Sequence, residues 1–440
     1  MKRRDTEQTH RTRRGLLTRA GALGGLAGLG SLGGVALAGC GQQGAPAPQT
    51  IPPATIEYAY NSGSGALATA RSELVDKFMA AVPAIKVNQL PGQPETMVLE
   101  KFKAAAAAGT PPDVVSLNTN VTGDLVASKM IAPLDDLIKS RGQGFSRDAF
   151  YPEVLNAQTV DGRLYGVPRF VQTMLLYFNR DLFARAGLAE PNENWTWEKD
   201  FQDTATRLKA FMAGAVAEPT FQVTFGADLR NSLVTSWGGD FFDKTGKKAT
   251  LEEAKALAGL EFAHGLRYRQ RFAAEQGQEA GATFNNGRIA MNVAGSFAYG
   301  GLLSGPFKPG VTLFPRGPGG RRQTGNATGY SITEGSKNKP AAWEFVKWLV
   351  GDNGQQHLAL TETTTPATKK VYPPKDTPSE VTRIFFEALK TGLYFPPLKG
   401  FSEIYTQINT ELNVSLNDNA RSVRDSARAA SDAANRLLAQ

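Results

Sequence analysis

Cysteine and histidine are nearly missing from this chain: 440 residues hold one Cys and three His. A lone thiol forms no intramolecular disulfide, so the fold must rest on its packed core. His10, His264 and His357 stand far apart, and none lies at metal-ligand spacing from another His or from Cys40. That removes thiolate and imidazole metal sites and leaves Cys–His and Ser–His–Asp nucleophile arrangements without support. Gly-x-Ser-x-Gly and Gly-x-x-x-x-Gly-Lys-Ser/Thr are also missing, which takes away the nucleophile elbow and the phosphate-cradling loop. His264 and His357 read as structural or surface residues, and Asp135-Asp136 as a solvated helix start rather than a metal pair. A carboxylate-pair glycosidase stays open because acids are abundant. The reading is still of a non-enzyme with no cofactor, no metal and no catalytic residue.

What is present begins at the N-terminus. Residues 1–19 carry seven basic groups and two acids, and Ala20 to Gly39 carries no charge and eight Gly. A basic head followed by a weakly apolar stretch has the form of an export signal. It is too Gly-rich for a stable membrane helix, which wants about 20 strongly apolar residues. Leu37-Ala38-Gly39-Cys40 resembles a bacterial lipoprotein box, and Arg13-Arg14 resembles a twin-arginine export signal. Cys40 is thus expected to be the lipidated first residue of the working protein, anchored to the cell membrane and facing outward. A permanent anchor helix and an unstructured basic tail are the alternatives. Residues 40–54 read as a flexible tether.

Most of the formal +8 charge lies in that signal, and about +3 remains beyond it. So small a balance leaves no electrostatic footprint for nucleic acid. Beyond the tether no long uncharged apolar run remains, so a soluble body is expected. Strands and helices alternate there. Thr55–Tyr60 places Ile56, Tyr58 and Tyr60 on one face, and strands over Ile85–Leu90 and Asp113–Leu117 follow with helices between them. This order implies α/β architecture with a parallel sheet. Farther on, Met174–Tyr177 is a strand, Thr196 is an N-cap, and Thr250 opens a capping box for a helix to about Arg271. Gly317 to Arg322 reads as a mobile surface turn. The last 30 residues read as one amphipathic helix.

Several segments together resemble the extracellular solute-binding proteins of bacterial ABC importers, in the maltose-binding-like group. They include Pro111-Pro112-Asp113-Val114-Val115, Gly162 to Pro168, Leu176 to Phe183, Asn194 to Glu198, Trp237 to Phe241, Phe284 to Met291 and Gly329 to Phe345. Their common order, from about residue 55 to the C-terminus, carries the resemblance. It implies a periplasmic-binding-protein type II fold, with two lobes, a ligand cleft and a hinge. The expected lobes are 55–167 plus 325–365, and 168–324 plus 366–440. It further implies a monomer that takes a small molecule, a sugar first of all, to the transmembrane permease subunits, and through them to the ATPase. A non-sugar solute (glycerol phosphate ester, polyamine or peptide) and a lipid-anchored sensor or adhesion module are the competing functions.

In parallel α/β sheets ligands sit beyond the carboxyl ends of strands. That rule, with the resemblance, marks Tyr60, Asn61, Gln93, Asn118 and Asn120 on one lobe. Trp237, Asp240 and Phe297 are marked on the other, with Tyr330 near the hinge and Arg169 as a further polar partner. Aromatic rings suit the C–H faces of a sugar, and amides and charged groups suit its hydroxyl rim. Where the family often has Gly-Pro-Trp, this chain has Gly295-Ser296-Phe297, which leaves the size of the sugar open. Trp195 and Trp197 read as residues that pack the start of a helix, Trp343 and Trp348 as core or partly exposed surface, and Tyr177 as core or cleft.

Overall fold

The computed structural model describes residues 53–63, 65–215, 221–274, 283–362, 365–372 and 377–440. Arg13, Arg14, Cys40 and Ser64 lie outside them. The strands, in chain order, are β1 (Ala54–Asn61), β2 (Ile85–Gly92), β3 (Val114–Asn118), β4 (Thr159–Val160), β5 (Arg163–Leu164), β6 (Val167–Thr173) and β7 (Leu175–Asn179). They continue with β8 (Phe221–Val223), β9 (Ile289–Ala294), β10 (Pro309–Leu313), β11 (Gln323–Ile332), β12 (Thr365–Pro366) and β13 (Gly392–Leu393).

The first sheet runs β12-β6-β11-β3-β1-β2, with β13 on the early part of β11. β1 pairs in parallel with both β2 and β3, whereas β11 is antiparallel to β3 and β6. Alternation along β1 sorts its side chains. Ile56, Tyr58 and Tyr60 meet Val75 and Phe78 of the helix Ala66–Ala81 and Phe345, Val346 and Leu349 of the helix Lys339–Val350. Ala59 joins Val115 and Leu117 against Val98 and Phe102 of the helix Glu95–Ala107. The sheet is therefore covered on both faces.

The second sheet runs β10-β7-β9-β8. Leu176 and Phe178 of β7 pack with Phe183, Trp195, Trp197 and Phe201, while Leu175 and Tyr177 pack with Phe284, Phe307 and Phe385. Trp197 and Trp343 are fully buried, as packing residues should be. The chain passes between the sheets at Thr173-Met174-Leu175 and again at the start of β11. The two passages are tied together: Met174 N–H donates to Thr324 O at 3.1 Å, and Thr324 N–H donates to Ser232 Oγ at 3.1 Å.

Four expectations need correction. The boundary after residue 167 falls inside β6, all of which belongs to the first sheet. Thr250 is not a cap, because its hydroxyl donates to Asp240 O at 2.7 Å and the helix opens only at Ala254. The C-terminal stretch is two helices, Phe401–Leu416 and Val423–Leu438, with Asn419 at φ 51° in the turn between them. The Gly317 to Arg322 turn is packed: Gly319 N–H donates to Ser236 O at 2.8 Å, and a Cβ on Gly317 would stand 2.5 Å from that carbonyl. Thr196 does stand at the N-cap position, in extended backbone, although its hydroxyl makes no bond to the helix N–H groups: hydroxyl and N–H both donate to Asp200 Oδ2, at 2.8 and 2.9 Å.

Candidate functional site

Because β1, β2 and β3 are parallel, their carboxyl ends gather at one edge of the first sheet. Asn118 is the junction there. Its N–H donates to Glu95 Oε1 at 2.6 Å, its Nδ2 to Asn326 Oδ1 at 2.7 Å, and its Oδ1 accepts from Asn120 N–H at 3.0 Å. Asn61 Oδ1 accepts from Gly63 N–H at 2.9 Å, and its carbonyl accepts from Arg71 Nη1 at 2.6 Å. Gln93 is exposed at the rim. Burial pushes the Glu95 carboxyl pKa up, opposed by the Asn118 N–H and by the charges of Arg169 and Arg71.

Arg169 reaches this group through a β-bulge. Thr328 opposes Phe170 and Gly329 opposes Pro168, so Arg169 is the extra residue on β6. Bulges re-aim side chains beside functional sites. The guanidinium is only 4% exposed and acts electrostatically on Glu95, Tyr58 and Tyr60. Arg71 and Asn326 were not marked by the sequence reading, and Glu95 entered it only as the end of the loop Gly92 to Glu95 after β2. Glu95 carried a usable signal, as the acid opening a helix straight after β2.

Two aromatic expectations on this side are corrected. Tyr330 is 0% exposed and lies in the core beside Tyr58, at 6.2 Å between ring centroids, so it offers no face to a ligand. Tyr60 is also buried, stacked on Tyr58 at 4.7 Å, with its hydroxyl donating to Gln89 Oε1 at 2.7 Å. Burial raises its phenol pKa, opposed by Arg71 and Arg169.

The marked residues of the other sheet divide. Trp237 is 9% exposed and packs on Phe262 at 4.4 Å, within the core of the second sheet. Its ring follows the last turn of the buried helix Ala227–Ser236, which points it inward. Asp240 is exposed, accepts from Arg322 Nη2 at 3.2 Å, and borders a small cavity of about 80 Å³ with Thr324 and Tyr394. Phe297 is 52% exposed, just after β9. Beside it is Gln172 of β6. A Cβ on Gly295 would stand 2.8 Å from the Phe297 ring and 3.1 Å from Gln172 Oε1. That oxygen is buried with no hydrogen-bond partner among the described residues. An amide left open beside an exposed ring is suited to a hydroxyl-bearing ligand. Gln172 was missed, although a Gln inside Val167-Pro168-Arg169-Phe170-Val171-Gln172 is out of pattern for a core strand.

A cavity of about 410 Å³ lies elsewhere, among Phe145, Phe150, Asp352, Lys369, Lys370 and Tyr372. Its polar groups already answer one another: Lys370 meets Asp352 at 2.6 Å. Among the described residues no group of three or more His, Cys, Asp or Glu could hold a metal, and no helix is long and apolar enough to cross a membrane. His357 sits between Lys77 Nζ at 2.9 Å and Ala70 O at 2.8 Å, and His264 meets Asn419 at 2.9 Å.

Residues 62–356 match the family described as bacterial extracellular solute-binding protein. The chain belongs to that family. The galactooligosaccharide-binding protein of Bacillus subtilis is 22% identical over 334 residues, covering 73% of this chain and 76% of that relative. An ABC substrate-binding protein of Listeria monocytogenes, solved in complex with cycloalternan, superposes with a TM-score of 0.77 at 21% identity, over 88% of this chain and 99% of that one. UgpB from Mycobacterium tuberculosis, solved with glycerophosphocholine, gives a TM-score of 0.71 at 22% identity, over 89% and 98%. The solute-binding chain thus has the type II periplasmic-binding-protein fold, two α/β lobes about a cleft and hinge, and it works outside the cytoplasm.

Proposed function

We propose that this solute-binding protein captures a carbohydrate between its lobes and delivers it to the transmembrane subunits of an ABC importer, without catalysing a reaction. The observation that carries the reading is the exposed Phe297 ring beside the open Gln172 amide, Gln172 being the strand partner of Asn326, which Asn118 bonds in turn. Ring and amides match the two surfaces of a sugar. The relatives named for galactooligosaccharide and cycloalternan support it. Asn61, Gln93, Asn120, Arg169 and Asp240 complete the proposed rim. The first lobe is taken as residues 54–173 with most of β11, β12 and the helices between them, and the second as the rest. Cys40 carries the lipid anchor, Arg13 and Arg14 direct export, and the protein acts as a monomer. A ligand bound only to the folded state raises stability by RT ln(1+[L]/Kd), about 2.7 kcal/mol at a hundred times Kd. A thermal-shift screen of mono- and oligosaccharides should therefore give a clear rise. Silence to every sugar would sink the reading.

A second reading rests on Arg71 and Arg169, two cations around the single carboxylate of Glu95. They suit the phosphate of a glycerol phosphodiester, as in the Mycobacterium tuberculosis neighbour. A shift with glycerophosphocholine and none with sugars would select it.

A further inference from the structure

The charge balance beyond residue 39 is small, about +3, but it is not spread evenly. Phe242 and Ala249 form an antiparallel bridge, and the turn that they close reads Asp243-Lys244-Thr245-Gly246-Lys247-Lys248. This turn is held from within. Asp243 N–H donates to Lys248 O at 2.8 Å, and Gly246 N–H donates to Asp243 O at 3.0 Å. The Asp243 carboxylate accepts from the Thr245 hydroxyl at 2.8 Å, from Lys247 N–H at 2.9 Å and from Lys248 N–H at 3.2 Å. The one acid is thus engaged by its own loop, while Lys244, Lys247 and Lys248 are exposed.

Two further elements bring cations to the same place. Gly246 stands at φ 69°, and a Cβ there would lie 2.6 Å from Leu398 Cδ2, so the loop tip rests on the segment that ends in the exposed Lys399. Lys399 Nζ reaches Gln440 O at 3.4 Å, and Ala249 N–H, just after Lys248, donates to Asn435 Oδ1 at 2.8 Å. Arg436, next to Asn435 on the helix Val423–Leu438, is exposed as well. Four lysines and Arg436 therefore share one region with two acids, Asp243 and Asp432, an excess as large as that of the whole body. Among the described residues none of the five cations makes an ion pair. The next charges come one of each sign, Glu252 with Arg428 at 3.9 Å and Glu253 with Lys255. The large apolar side chains that the described residues expose, Leu90, Met97, Phe297, Leu303, Leu360 and Val371, stand on other segments.

We infer that this basic face of the second lobe lies against the anionic phospholipid headgroups of the membrane that carries the protein. Basic residues near such a surface are attracted additively, and the attraction falls off within a Debye length, about 8 Å at physiological salt. A face of exposed lysines without large apolar side chains suits headgroups and not the hydrocarbon beneath them. The thirteen residues from 41 to 53 extend at most about 45 Å. A lipid on Cys40 therefore keeps the body near the bilayer without choosing its orientation, and the basic face supplies that choice. The inference rests on the reading of the protein as membrane-anchored and adds to it the side that meets the bilayer.

The test uses residues 41–440, which hold the compact unit Thr50–Gln440 and carry neither the basic head nor the lipid. Co-sedimentation is measured with vesicles of equal parts phosphatidylglycerol and phosphatidylcholine, and with phosphatidylcholine vesicles alone. The wild type should bind the anionic vesicles at about 50 mM salt, leave them at about 500 mM, and ignore the neutral ones. Joint Lys244→Ala, Lys247→Ala and Lys248→Ala should weaken binding by about a hundredfold at an unchanged melting temperature. Lys399→Ala with Arg436→Ala, on other elements, should cost at least about tenfold and keeps the test valid should the loop variant fail to fold. Lys101→Ala with Lys103→Ala and Lys139→Ala takes the same charge from exposed positions of the first lobe and should cost less than about threefold. No binding to anionic vesicles, equal binding to neutral ones, or an equal loss in the two triple variants would overturn the inference. In cells, a salt wash strips a protein held by this face and not one held by lipid, so the face and the Cys40 anchor can each fail alone.

Discussion

Replacing Trp237 with Ala separates a packing residue from a binding residue. The ring touches Phe262 at a centroid distance of 4.4 Å, and a Cβ on Gly317 would stand 2.9 Å from its Cε3, so no neighbour is free to fill the hole. A large aromatic truncated in such a place costs about 3–5 kcal/mol. Unfolding entropy near 2.1 cal/mol/K per residue gives, for the unit Thr50–Gln440, about 0.8 kcal/mol/K. The melting temperature of the ligand-free protein should therefore fall by about 4–6 °C. The folded variant should bind its sugar as the wild type does, measured by titration well below the melting range. A melting temperature within about 1 °C of wild type, together with lost affinity, would refute the core assignment and return the ring to the cleft.

Phe297→Ala should behave in the opposite way, because the ring is mostly in water: little change in the ligand-free melting temperature and at least about a tenfold loss of sugar affinity. Glu95→Gln couples stability to pH. The folded-state pKa of Glu95 is raised, so its contribution is fully present below the unfolded value and is lost as pH rises through the folded one. The variant should then gain thermal stability over wild type at neutral pH and lose that gain under acid, while binding sugar more weakly. No pH dependence in the difference would count against the burial argument. For the anchor, Cys40→Ala should release the protein from the membrane fraction, and Arg13→Lys with Arg14→Lys should block export. Retention in the first case, or normal export in the second, removes that proposal.

Much of the fold was readable because local rules carry it. The period-two run Ile56, Tyr58, Tyr60 settled the orientation of β1, and the alternation of strands and helices gave the parallel core of the first sheet. What failed depended on pairing at a distance. Tyr330 and Phe297 both follow closely on a Gly, yet one packs with the helix Lys339–Val350 and the other is exposed. Only the placement of β11 between β3 and β6 decides which is which. The bulge that turns Arg169 toward Glu95 is likewise a mismatch between strands about 160 residues apart, invisible in either strand alone. The break between the last two helices was legible in Asn417-Asp418-Asn419, a helix-stopping run that was passed over.

The late position of β11 bears on how the chain is made. β3 ends at Asn118, and its antiparallel neighbour starts at Gln323. At about 5–20 residues per second, that gap of about 200 residues corresponds to roughly 10–40 s of synthesis. Throughout that interval the flank of β3 that β11 will cover has no native partner, and Val114, Val115 and Leu117 wait beside an open strand edge. The first lobe is therefore finished almost as late as the second, and a ribosome stalled before residue 323 would hold an incomplete sheet exposed to other chains.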